Sequence, residues 1–388
     1  MRSVSIIGGG LTHFGEHWSV SFREMVAEAG ARALKEARVE GKQLQAIYGG
    51  CMASGRLLGQ EHIGALIADQ LGLNPLPSTR CEAACASGGV ALRQGYQAVA
   101  SGMYDVVAVG GVEKMTEVSA EEASLALGGA GDQEWELFNG ATFPALYALM
   151  AKRHMQEYGT TEEQMALCAV KNHANAVHNE YAQFRKAISL EIAMNSPQVA
   201  SPLKLFDCSP ISDGAAVLIL ASSDVAKNYC EIPVEIIASS QASDTLALAN
   251  RKSLTSINAT KVAAKQAFEQ ARIKIKDINL AEVHDCFTIA EIMAIEDLGF
   301  FEKGFGGKAV EDGETQLNST ISVNTSGGLK ACGHPVGATG VKQAVECLWQ
   351  LQGKCGERQV DDAKYALSHN VGGSGATAVI HVYKRLGE

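Results

Sequence analysis

Two periods of hydrophobic residues alternate along the chain. Short apolar runs of strand length occur at Val4–Ile7, Val106–Val109, Ala215–Ala221, Val234–Ile237 and Thr377–Val382. Between them lie helical spacings: Leu92, Tyr96 and Val99 share one face, and Val341, Val345, Leu348 and Leu351 share another, with Gly353 as a stop signal. Strand and helix patterns in alternation predict an α/β fold.

The pattern repeats. Ala33–Val39 closes a helical stretch and leads into Leu44–Cys51, and Ala267–Ile273 leads likewise into Ile278–Cys286; an apolar strand precedes each. This self-similarity predicts two duplicated halves, a chance match between Ala-rich helices being the alternative. The first half is expected over residues 1–230 and the second over 231–388. Residues of about 115–205 break the rhythm with polar helices such as Thr161–Val177, and are expected to form a loop domain inserted over the site.

Composition narrows the class. With 388 residues, 46% hydrophobic and 20% charged, the chain can bury a large core. Gly 40 against Pro 8 fits many tight strand–helix turns. A net charge of −10 tells against a nucleic-acid partner, while a local basic patch for an anionic substrate stays compatible with it. No apolar run reaches the roughly 18–20 residues of a membrane span. Met1-Arg2-Ser3-Val4 opens a strand rather than a signal peptide. Ten cysteines without a CxxC pair fit neither a metal site nor a disulfide framework. Reduced thiols in a cytoplasmic protein is the expectation, with no metal.

Some residues stand where chemistry would need them. Cys85, in Cys85-Ala86-Ser87-Gly88-Gly89, opens a helix, where backbone N–H groups and the dipole favour thiolate; a buried structural thiol is the alternative. His334, on the tight loop Gly333–Gly340, is a candidate base or else a turn-bonding histidine. His284-Asp285-Cys286 follows a short strand, where α/β proteins place functional side chains; a satisfied core histidine and an inert thiol are the bland alternatives. The stretch His369–Gly375 reads as a glycine loop joining two strands, able to offer N–H groups to an oxyanion or simply to turn the chain.

Together these motifs resemble the thiolase family. Cys85-Ala86-Ser87-Gly88 resembles its nucleophile motif, Gly333-His334-Pro335-Val336-Gly337-Ala338-Thr339-Gly340 its histidine motif, and Cys208-Ser209-Pro210-Ile211-Ser212-Asp213-Gly214-Ala215-Ala216 the run that closes its insertion. Where the commonest thiolases have Asn-Glu-Ala-Phe, this chain has His284-Asp285-Cys286-Phe287; where they carry a second cysteine in the C-terminal glycine loop, it has His369-Asn370-Val371. Both changes resemble the archaeal and sterol-carrier-protein-type thiolases, in which the His-Asp-Cys-Phe motif supplies the acid/base cysteine.

The resemblance implies a thiolase-like duplicated five-layer α/β/α/β/α sandwich with an inserted loop domain, dimeric or tetrameric. It implies an acyltransferase that forms a thioester on Cys85, with His334 as base, Cys286 as acid/base, and His284 with His334 holding an enolate oxygen. The backbone N–H groups of Cys85 and of Val371 or Gly372 would form the other oxyanion hole, and Ser209 would touch pantetheine. A catalytic role for His369 is in doubt. Coenzyme A and acyl-CoA would be substrates, with no tightly bound cofactor. The expected reaction is reversible condensation of two acetyl-CoA to acetoacetyl-CoA for the mevalonate pathway and isoprenoid biosynthesis. Degradative thiolysis of longer 3-oxoacyl-CoA, a decarboxylating ketosynthase, and a non-catalytic acyl-CoA-binding subunit are the alternatives. Archaeal-type members assemble with a 3-hydroxy-3-methylglutaryl-CoA synthase and a zinc-ribbon/OB-fold protein, so the resemblance implies those partners too.

Overall fold

The structure, a computed structural model, describes residues 2–386. Twelve strands follow in chain order: β1 (Val4–Leu11), β2 (Ile47–Gly50), β3 (Ser78–Cys81), β4 (Val106–Glu113), β5 (Gln198–Ala200), β6 (Leu203–Lys204), β7 (Gly214–Ser222), β8 (Val234–Ser243), β9 (Leu280–Glu282), β10 (Ser322–Val323), β11 (Tyr365–Gly372) and β12 (Thr377–Arg385). β5 and β6 pair only with each other; the other ten run β10-β9-β11-β12-β8-β1-β7-β4-β2-β3.

That order has an internal symmetry. Outward from the centre it reads β1-β7-β4-β2-β3 on one side and β8-β12-β11-β9-β10 on the other. In each arm the innermost two pairings are antiparallel and the outer two parallel. The arms meet through two residue pairs only, Ser5 with Glu235 and Ile6 with Val234. The duplication read from the two Ala-rich stretches is thus a duplication of topology.

Helices complete the layers. Phe22–Ala37 and Ile63–Gln70 pack on first-arm strands, and Asn258–Ala271 packs on β8 and β12. Ser87–Ala100 and Thr339–Leu351 lie against each other and touch strands of both arms, forming the central layer. Every residue of Thr339–Leu351 except Trp349 is buried, as a helix between the two arms of the sheet must be. The two helices meet at their N-terminal ends because glycines stand there. A Cβ on Gly88 would lie 2.7 Å from the Gly337 carbonyl oxygen, and one on Gly340 would lie 2.2 Å from the Gly89 nitrogen. This close approach brings Cys85 and His334 together.

The C-terminal expectation needs one correction. His369-Asn370-Val371-Gly372 is not loop but the end of β11, paired residue by residue with Ile380, Val379, Ala378 and Thr377. Its polar side chains are buried and bonded inside the protein, so the stretch lacks the apolar pattern that marks a strand; the His369 ring sits 2.8 Å from Thr260 Oγ1. Among the described residues, no helix is long and apolar enough to cross a membrane.

Candidate active site

Cys85 is held in a turn tightened at both ends. Ala84 has φ of 52°, costly for a residue with a Cβ. The Ser87 hydroxyl donates to the Ala84 carbonyl at 2.6 Å and accepts the Ala83 N–H at 3.0 Å, which fixes the strained turn. The sulfur emerges just before the helix Ser87–Ala100. Burial pushes its thiol up to about 12, opposed by N–H donation from Gly373 and from Cys85 itself.

His334 follows the short helix Gly328–Cys332 and a left-handed Gly333 with φ of 111°. Its backbone N–H donates to Ser212 Oγ at 2.9 Å. Its Nδ1 lies 2.7 Å from Thr339 Oγ1, and that hydroxyl donates its hydrogen to the Pro335 carbonyl at 3.1 Å. With its hydrogen on the Pro335 carbonyl, Thr339 accepts from the ring. The proton sits on Nδ1, and Nε2 keeps its lone pair for use as a base. Burial, with Lys342 nearby, pushes the imidazole down to about 3, so it rests neutral. Across the interface, the buried Glu113 carboxylate accepts N–H bonds from Met52 (2.8 Å), Ala53 (3.0 Å) and Gly337 (3.1 Å), tying the histidine loop to the first arm.

His284 and Cys286 leave the end of β9 on either side of Asp285. Asp285 turns inward and accepts the N–H groups of Leu329 (2.7 Å) and Lys330 (3.2 Å), so the residue between the two candidates anchors the helix that leads to His334. The His284 and His334 rings meet edge to face at 5.0 Å. Cys85 Sγ and a ring nitrogen of each histidine lie within 4.8 Å of one another, a donor set that could also hold a soft metal ion. Burial raises the Cys286 thiol well above its ordinary value, and the nearby Tyr147 hydroxyl works against that rise.

Tyr147 comes from the helix Phe143–Tyr158 of the segment between β4 and β7, started by Thr142, whose side chain accepts the Ala145 N–H, with Pro144 in the first turn. Its hydroxyl donates to the Gly373 carbonyl at 3.1 Å and its ring stacks on Phe287 at 4.5 Å. Cys85, Cys286, His334, Tyr147, Ser209 and Gly373 line one cavity of about 150 Å³. Ser209 donates its backbone N–H to the Cys286 carbonyl at 2.9 Å.

The structure thus gathers Cys85, His334, His284, Cys286 and Ser209. Val371 and Gly372 are the last residues of β11, and Gly373, the next residue, brings its backbone N–H to bear on the Cys85 sulfur. His369 faces Thr260, away from the cavity. Sequence reasoning missed Tyr147, Thr339 and Asn370. Thr339 carried a signal, standing in the histidine motif five residues past His334; Tyr147 carried none.

Comparison with known proteins covers both halves of the chain. Residues 4–224 match the family described as thiolase, N-terminal domain, and residues 240–385 match the thiolase C-terminal domain-like family. An acetyl-CoA acetyltransferase of Methanothermobacter thermautotrophicus is 56% identical over 385 residues, covering 99% of this chain and 100% of the relative. An acetyl-CoA acetyltransferase of Methanocaldococcus jannaschii is 50% identical over 389 residues, covering 98% and 99%. Among solved structures, the Ltp2-ChsH2(DUF35) aldolase superposes with a TM-score of 0.86 at 24% identity, covering 99% of this chain and 98% of that one, a likeness of fold.

Proposed function

The chain belongs to the thiolase family, and from that premise we propose that it is an acetyl-CoA C-acetyltransferase, condensing two acetyl-CoA to acetoacetyl-CoA and CoA. One observation carries this reading: two thiols, Cys85 and Cys286, face one small cavity beside a histidine whose free ring nitrogen is a base.

In the first half-reaction His334 Nε2 takes the Cys85 proton as the sulfur attacks the thioester carbonyl. The tetrahedral oxyanion accepts from the N–H groups of Cys85 and Gly373. The C–S bond to coenzyme A breaks, and the leaving thiolate takes its proton from Cys286. The enzyme is then an acetyl-Cys85 thioester with a Cys286 thiolate and a His334 imidazolium. In the second half-reaction the Cys286 thiolate removes an α-proton from a second acetyl-CoA, and the enolate carbon attacks the acetyl group. The Cys85–acyl bond breaks and His334 returns its proton to Cys85. Product release leaves both thiols and a neutral imidazole. The Tyr147 hydroxyl turns from Gly373 toward Cys286 when that sulfur is charged, and His284 donates to the enolate oxygen. Ser209, in the cavity lining, would touch the pantetheine arm.

A cavity of about 150 Å³ favours short acyl groups over the long chains of degradative thiolysis. The paired thiols favour condensation of acetyl-CoA over decarboxylation. We further assign the product to isoprenoid building in the cytoplasm. The protein is taken as a homodimer or homotetramer, a state favoured by β3 ending the sheet as an open edge, and as a partner of a 3-hydroxy-3-methylglutaryl-CoA synthase and a zinc-ribbon/OB-fold protein. Rates for acetyl-CoA, malonyl-CoA and longer 3-oxoacyl-CoA test the reading. Acetyl-CoA condensation without need of malonyl-CoA is expected; strict dependence on malonyl-CoA would overturn it.

A further inference from the structure

Asn370 stands in β11, buried, between the nucleophile helix and the His-Asp-Cys strand end. A carboxamide has one acceptor oxygen and two N–H donors. The Asn370 oxygen accepts the Gly89 N–H at 3.1 Å, which fixes the way the amide faces. Its nitrogen lies 3.0 Å from the Cys85 carbonyl oxygen and 3.2 Å from His284 Nδ1. Both amide hydrogens are thereby directed, and His284 Nδ1 can meet its share only as an acceptor.

The consequence follows from imidazole chemistry. Burial and the neighbouring His334 keep His284 uncharged, so the ring has a single proton. With a lone pair on Nδ1, that proton is on Nε2, which has no protein hydrogen-bond partner among the described residues. His334 is the opposite tautomer, set by Thr339. Two adjacent imidazoles, His334 in the cavity lining and His284 edge to face with it at 5.0 Å and within 4.8 Å of Cys85 Sγ, thus hold complementary states, one accepting and one donating.

We propose that Asn370 is a positioning residue that locks His284 in its Nε2–H tautomer, so that His284 serves only as a donor to the oxygen of the second thioester. The proposal rests on the thiolase reading and deepens it. When the α C–H bond breaks, its proton passes to the Cys286 thiolate and its electron pair enters the enolate. His284 keeps its own proton and lends only a hydrogen bond. Acylation of Cys85 uses the other pair of N–H donors, so Asn370 matters chiefly for carbon–carbon bond formation.

Neutron diffraction of the wild-type protein exchanged into D2O reads the tautomer directly. Deuterium on Nε2 and none on Nδ1 of His284 is expected; deuterium on Nδ1 overturns the proposal. Kinetics give a second arm. In Asn370→Asp an acceptor-only group faces Nδ1 and draws the proton there. Condensation should fall roughly 10²–10³-fold, the usual effect of losing an oxyanion donor, while exchange of labelled CoA into acetyl-CoA falls less than about tenfold. Equal losses in both reactions would mark a merely structural role and overturn the proposal. In a His284→Ala background, Asn370→Asp should cost condensation almost nothing more, because the two act as one unit; a full additional loss would also overturn it. If wild-type Cys85 never becomes acetylated, the thiolase reading fails, while the neutron result still decides the tautomer.

Discussion

Removing one oxygen atom, in Tyr147→Phe, tests how Cys286 can act as a base while buried. The phenyl ring keeps the 4.5 Å stack on Phe287 and the shape of the cavity. What is lost is a hydroxyl that donates to the Gly373 carbonyl and that, in the proposed mechanism, turns to the Cys286 sulfur when that sulfur is charged. The neutral bond contributes about 1 kcal/mol of stability, and the charge-assisted one about 1.5–3 kcal/mol to the thiolate. The folded protein should therefore weaken by about 1 kcal/mol, whereas the acetyl-enzyme bearing a Cys286 thiolate loses more. At about 1.4 kcal/mol per tenfold, acetoacetyl-CoA synthesis should slow roughly tenfold to 150-fold. Urea denaturation gives the first quantity and a steady-state condensation assay the second. Wild-type turnover in Tyr147→Phe would refute the claim that this hydroxyl supports the thiolate.

Other perturbations separate the parts. Thr339→Val removes the acceptor that holds the His334 proton on Nδ1; the Cys85 acetylation burst should slow roughly tenfold to a hundredfold, since an orphaned buried donor costs about 1–3 kcal/mol. Gly30→Ala, in the helix Phe22–Ala37, places a methyl 3.7 Å from Leu71 in an apolar cavity; it should raise stability by about 1 kcal/mol with activity unchanged, read as a higher urea midpoint. His284, His334, His369 and His381 are buried with pKa values pressed below the ordinary 6.5 by burial, His334 and His369 to about 3 and His381 to about 4. Depressed folded values mean that their contribution is complete above pH 6.5 and is lost as pH falls. Each should remove about 1.4 kcal/mol by pH 5.5. In urea titrations His369→Gln, remote from the cavity, should lessen the pH slope by about one proton.

The legible part of the site was the part in which glycine surrounds a reactive side chain. Cys85 and His334 announce themselves because a close helix–helix approach needs Gly88, Gly89, Gly337 and Gly340 beside them. His284 and Cys286 were legible through their place at a strand end. The remainder depends on contacts that leave no local pattern. Tyr147 belongs to a helix of the segment between β4 and β7 and reaches the site only by tertiary packing. Asn370 is a strand residue whose value lies in three bonds to distant segments. The same buried polarity concealed the length of β11, and with it the identity of Gly373 as donor. The layered fold was readable since duplicated halves repeat their helix–strand signals, but the common strand order emerges only from pairing.

The division of labour between two sulfur atoms is tested most directly by Cys286→Ala. Incubated with acetyl-CoA, this variant should still gain one acetyl group on the Cys85 peptide by mass spectrometry. It should not form acetoacetyl-CoA or exchange α-protons with D2O. Acetylation at a residue other than Cys85, or condensation persisting at the wild-type rate, would contradict the account.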